Sequence, residues 1–187
     1  MHPTSDRLRV ELIVASVRPD RFGGIVADWA RDRLDEHAGF DVNVLDLAEL
    51  DLPPGLDGTG DTERLRERVA AADAFVLVTP EYNHGYPGYL KIAIDTLLEE
   101  WRAKPLGFVS YGGSGGGARS VEQLRPVFNE LQVVAVREQV VLTRVWDLFD
   151  GPVLVEPEGP QSALKSMLDQ LLWWARTLQV ARATITA

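Results

Sequence analysis

Three stretches of the chain gather residues able to hold a charged molecule that carries a flat ring. In Ser16-Val17-Arg18-Pro19-Asp20-Arg21-Phe22-Gly23-Gly24, a hydroxyl and two guanidinium groups lie close together. The second stretch, Thr79-Pro80-Glu81-Tyr82-Asn83-His84-Gly85, mixes polar side chains with rings. The third, Gly112-Gly113-Ser114-Gly115-Gly116-Gly117, is the most glycine-dense run in the chain. Hydroxyl and guanidinium groups bind anions through charge-assisted hydrogen bonds. Glycines let the backbone approach a flat ring closely while N–H groups bond to its carbonyls. Thiol chemistry is excluded, because there is no cysteine, and the three histidines, at positions 2, 37 and 84, are too scattered to suggest a metal site by spacing. Any redox role must then come from a bound cofactor.

Each stretch follows an apolar run and precedes a helical pattern, which is how open α/β sheets place ligands outside the carboxyl ends of strands. Residues 8–15 read as the first strand. Residues 24–37 follow as a helix with Ile25, Val26, Trp29, Ala30 and Leu34 on one face. Residues 41–47 alternate polar and apolar, as in a strand nearer a sheet edge, and 51–60 form a breaker-rich loop. A charged helix over 62–72 leads to the continuous apolar run 74–78, which suits a strand buried on both faces. The next helix starts near Pro87, with Leu90, Ile94, Leu97, Leu98 and Trp101 at helical spacing. Residues 104–111 form the fourth strand, and the helix beyond the glycine run carries Val121, Leu124, Val127, Phe128 and Leu131. Residues 133–142 read as a fifth strand, kinked or exposed at Arg137-Glu138, and 145–150 as an extension of uncertain form. The final helix covers 161–180. Its adjacent Trp173 and Trp174 cannot share one narrow face, so one is expected at a subunit interface unless both cover the sheet.

The motifs leave alternatives open. A helix N-terminus after the first loop favours phosphate, with Ser16, Arg18 and Arg21 as donors, but both arginines could instead pair with surface carboxylates. The glycine run lacks the lysine of a P-loop. A dinucleotide fingerprint on Gly113, Gly115 and Ala118 would follow the fourth strand rather than the first. Close approach to a ring and plain loop flexibility both remain. His84 has no assigned role, and Tyr82 packs either on a ligand or on the core.

With 187 residues, 45% hydrophobic and 25% charged, the expectation is a single domain over residues 1–187. A net charge of -9 disfavours nucleic acid and anionic lipid as partners, so a phosphate-bearing ligand needs the local arginines. The N-terminus lacks the pattern of a signal peptide and no apolar segment is long enough to span a bilayer, which points to the cytoplasm and to no membrane partner.

The run from Thr79 to Asp95 resembles the signature of the NADPH-dependent FMN reductase family, which commonly reads Thr-Pro-Glu-Tyr-Asn-His-(Gly/Ser)-Tyr-Pro-Gly-x-Leu-Lys-Asn-Ala-Ile-Asp. Ile92 departs from the usual Asn. Ser16 and Arg18 match the family's first signature, Gly-Ser-x-Arg, with Ala15 where Gly is usual, and Ser110, Tyr111, Gly112 and Gly113 match its Ser-Tyr-Gly-Gly loop. The resemblance implies a flavodoxin-like α/β three-layer sandwich, a five-stranded parallel sheet in order 2-1-3-4-5 with helices on both faces. It also implies an FMN site in which Ser16, Arg18 and Arg21 face the phosphate. Pro80, Glu81, Tyr82, Asn83, Ser110, Gly112 and Gly113 would then lie along the ribityl chain and ring, with no catalytic side chain and no metal. NADPH or NADH would be the cosubstrate, and a quinone, flavin, azo dye or metal oxyanion the small-molecule acceptor. A homodimer or homotetramer is expected. The contrasting expectation is a flavodoxin-type electron carrier without NAD(P)H activity of its own.

Overall fold

A computed structural model describes residues 7–156 and 158–185. The N-terminal residues 1–6, which bear on the signal-peptide expectation and include His2, lie outside the described residues. Five strands, β1 (Leu8–Val14), β2 (Phe40–Asp46), β3 (Ala74–Pro80), β4 (Pro105–Tyr111) and β5 (Val134–Leu142), pair in parallel in the order β2-β1-β3-β4-β5. This is the expected 2-1-3-4-5 order.

The sheet is covered on both faces because side chains alternate along each strand. Val10, Leu12 and Val14 meet α1 (Gly23–Glu36) and the long C-terminal α6 (Glu158–Ile185), through Val26, Ala30, Leu34, Met167 and Leu171. Ile13, Phe75, Leu77 and Phe108 face the other way, toward α2 (Thr62–Ala71), α3 (Gly88–Asp95) and α4 (Ala118–Glu130), with Leu65, Val69, Ile94, Leu124 and Phe128. The buried Glu11 interrupts that face and pairs with Arg68.

Register brings the strand ends together. Val14 lies beside Asp46 and Val78, Thr79 beside Ser110, and Pro80 beside Tyr111. Between β4 and β5 the register slips: β4 advances from Leu106 to Phe108 while β5 advances from Ala135 to Gln139. The irregularity falls at Arg137-Glu138, where a kink is expected, and Arg125 on α4 donates to the carbonyls of Val136 (3.0 Å) and Arg137 (3.4 Å) there.

Two sequence expectations need correcting. The helix after Pro87 ends at Asp95 rather than reaching Trp101, and Leu98 is 63% exposed. The hydroxyl of Thr96 bonds back to the Ile92 carbonyl (2.7 Å), competing with the backbone ladder, and a separate 3-10 turn over Glu99–Trp101 carries the indole into the core. The final helix is longer than 161–180. The uncertain stretch after β5 is a short helix, α5 (Val145–Leu148), and a hairpin of β6 (Phe149–Asp150) with β7 (Val153–Leu154).

Candidate active site

The loops leaving β1, β3 and β4 enclose a cleft of about 540 Å³. Ser16, Arg18, Arg21, Pro80, Glu81, Tyr82, Gly112 and Gly113 all line it, with Tyr111 and Trp146 among their neighbours. Residues as far apart in sequence as Ser16 and Trp146 thus share one cleft because parallel pairing aligns the strand ends. A larger hollow, about 670 Å³, lies beside it between β5 and the start of α6, but Glu156 and Glu158 in its lining repel an anion. The smaller cleft has the cations.

At its β1 end, Ser16 is fully buried and its Oγ lies 2.5 Å from the Tyr82 hydroxyl. The exposed Arg18 places its guanidinium carbon 5.2 Å from the centroid of the Tyr82 ring, a cation–π distance. Arg21 pairs with Asp46 at the end of β2, so of the two arginines only Arg21 follows the surface-carboxylate alternative. Its Nε is nevertheless buried and has no hydrogen-bond partner among the described residues.

The start of α1 adds to this end of the cleft. No side chain caps it, which leaves its first N–H groups available to an anion. A Cβ on Gly23 would sit 2.6 Å from the Tyr111 hydroxyl, so only glycine lets helix and phenol meet. Burial raises the Tyr111 pKa above the usual phenol value, with the neighbouring Tyr82 adding to the shift, so the hydroxyl beside Ser16 stays protonated.

The β3–β4 end is tied down differently. The Glu81 carboxylate is engaged within the chain: Oε1 pairs with Arg119 Nη1 (2.6 Å) and Oε2 accepts the Arg119 backbone N–H (3.2 Å) at the start of α4. Tyr82 and Gly85 exchange backbone hydrogen bonds of 2.8 and 3.1 Å around Asn83 and His84, both at positive φ, as a tight hairpin turn requires. Asn83 is therefore an exposed turn residue outside the cleft lining, and His84 shares that place. Ser110 is also outside it, buried in β4 with Oγ 3.3 Å from the Val140 carbonyl.

The glycine run is packed rather than loose. Gly117 sits at φ 83°, where a Cβ would come within 2.8 Å of Ser110 Cβ and 2.9 Å of the Tyr111 nitrogen. The carbonyls of Gly112 and Gly113 accept N–H groups from Val145 (3.1 Å) and Arg144 (2.8 Å), and Gly112 N–H donates to Leu142 (3.2 Å). Of the two glycines that line the cleft, Gly112 and Gly113, only Gly113 has an N–H without a partner among the described residues. Sequence reasoning missed Phe22, Tyr111, Val145 and Trp146 as lining. The signal for the last two was topological: in a 2-1-3-4-5 sheet, the segment leaving β5 lies next to the loop leaving β4. Among the described residues no group of three or more acidic, histidine or cysteine side chains could hold a metal, and no helix is long and apolar enough to cross a membrane.

The sequence profile described as NADPH-dependent FMN reductase matches residues 8–147. The chain belongs to this family. An NAD(P)H-dependent FMN reductase from Schizosaccharomyces pombe is 37% identical over 149 residues, covering 73% of this chain and 74% of that one. An FMN-dependent NADPH-azoreductase from Staphylococcus saprophyticus is 28% identical, covering 86% and 92%. The fold is shared with the solved flavoenzyme NAD(P)H:(acceptor) oxidoreductase FerB from Paracoccus denitrificans, at TM-score 0.76, 20% identity and coverage of 91% and 98%.

As a member of the FMN reductase family, the protein is an NAD(P)H-dependent reductase with FMN as cofactor. The residues present fit that group: an uncapped helix end and an unpartnered, buried Arg21 Nε at one end of the cleft, and an unpartnered Gly113 N–H at the other.

Proposed function

We propose that this cleft holds FMN with its phosphate at the β1 end and its ring along Pro80, Tyr82 and Gly112-Gly113, and that the protein passes electrons from NAD(P)H to a quinone. The observation that carries the reading is the opposed pair of unsatisfied donors, Arg21 Nε and Gly113 N–H, in one cleft with Arg18. A buried donor such as Arg21 Nε is rarely left unpaired, so its position marks where an acceptor atom belongs, and the half-buried Gly113 offers a second donor across the cleft.

Bound FMN supplies the two-electron redox chemistry that the side chains lack. Overall, NAD(P)H gives two electrons and one proton, water gives the second proton, and the quinone becomes a hydroquinone. Ser16, Arg18 and the α1 N–H groups hold the phosphate, while Glu81, clamped by Arg119, fixes the loop that carries Tyr82. No side chain acts as nucleophile or general base.

The same reading puts the protein in the cytoplasm with its nicotinamide supply. It also makes it a homodimer or homotetramer, with Trp173, 61% exposed beside the partly buried Trp174, at the contact. Titration of the purified chain with FMN should quench flavin fluorescence at one site per chain, and the loaded protein should then oxidise NADPH or NADH with menadione without a second enzyme. FMN uptake without nicotinamide oxidation would instead make it an electron carrier. A monomeric mass by light scattering would remove the role given to Trp173.

A further inference from the structure

We propose that Trp146 is the specificity-determining wall of the acceptor site and that it selects planar quinones, a proposal that rests on the cleft being the FMN site. Its indole is 57% exposed although it lines the cleft, so it covers little of the core. It is also held in place. Arg144, at φ 49°, donates its N–H to the Gly113 carbonyl (2.8 Å), Val145 donates to Gly112 (3.1 Å), and Arg144 Nη2 pairs with Asp147 (2.6 Å). The short helix that carries the indole is thereby tied by backbone bonds to the glycines at the ring end. The indole's terminal carbon lies 3.6 Å from where a Gly113 Cβ would be.

The chemistry of the lining names the ligand class. Tyr82, with Arg18 over its ring, belongs to the same cleft, so aromatic faces come from two loops. Aromatic faces attract flat rings by apolar burial and offset stacking, and offer nothing to a hydrated metal oxyanion. The exposed indole can offer its Nε1–H to a carbonyl oxygen on the incoming ring. The quinone of the proposed reaction, flat and carrying carbonyl oxygens, fits both features, whereas a metal oxyanion fits neither.

The test compares the full-length wild type with Trp146→Phe and Trp146→Ala. FMN affinity is read first, by flavin fluorescence. Menadione binding to the oxidised, FMN-loaded protein is then measured by equilibrium dialysis, and kcat/KM for menadione is compared with that for ferricyanide. The expected result is a menadione Kd raised about tenfold in Trp146→Ala and about threefold in Trp146→Phe, with the menadione-to-ferricyanide ratio falling in step. A Trp146→Ala protein that takes up FMN and binds menadione within about twofold of wild type would overturn the proposal. A wild type that takes up no FMN overturns the cofactor reading as well, and the flavin titration shows this separately.

Discussion

At the β1 end of the cleft, positive charge comes from two arginines, one exposed against Tyr82 and the other already paired with Asp46. At the β3–β4 end almost nothing is left adjustable: Glu81 is clamped by Arg119, Asn83 and His84 sit in a closed turn, and the glycine carbonyls are engaged by the segment after β5. The contrast teaches that affinity for an anion is set by single charges, whereas the room for a ring is set by backbone packing. The first should respond to mutation by degrees, and the second by collapse.

The largest effect should come from Gly117→Ala. The added Cβ meets backbone atoms that cannot retreat, at a φ that disfavours any side chain, and should cost about 2–4 kcal/mol in urea unfolding. A cost under about 1 kcal/mol would mean the ring end is softer than its hydrogen bonds indicate. Next, Arg18→Ala should weaken FMN binding about 10- to 100-fold in fluorescence titrations, with much of the difference lost at high salt. An unchanged affinity would move the phosphate away from this loop.

Glu81→Gln sharpens the comparison because the amide can still accept the Arg119 N–H while the ion pair to the half-exposed guanidinium is gone. Stability should fall by about 1 kcal/mol or less, with FMN affinity little altered, since the carboxylate is already engaged by Arg119. Smallest and most diagnostic is Asp46→Asn. The amide oxygen can keep the bond now accepted from Ala48 N–H (3.0 Å), but Arg21 loses its counter-charge, so FMN should bind about 2- to 5-fold tighter. Weaker binding would show that Asp46 orients Arg21 rather than competing for it.

The strands were legible because runs such as Phe75 to Val78 can only be buried on both faces, and the order followed from their alternation with helices. That Ser16, Arg18 and Gly112-Gly113 line one cleft was legible from residue type at strand ends. What stayed hidden depends on register between distant segments. Asp46 meets Arg21 only because β2 and β1 end level, and Arg119 claims Glu81 only once α4 starts beside β3. Leu98 fits a helical stripe by spacing, yet the helix ends at Asp95 and a separate 3-10 turn brings Trp101 into the core, leaving Leu98 exposed. Residue type did not show that Asn83 is held at positive φ in a tight turn.

The slipped register on β5 has a consequence for how copies of the chain can meet. This strand is an outer border of the sheet, and an open border is a template on which another molecule's strand can add, copy after copy. Here the ladder is bent midway, and a guanidinium from the neighbouring helix already occupies carbonyls that a newcomer would need. Strand-on-strand growth is thereby disfavoured along that border.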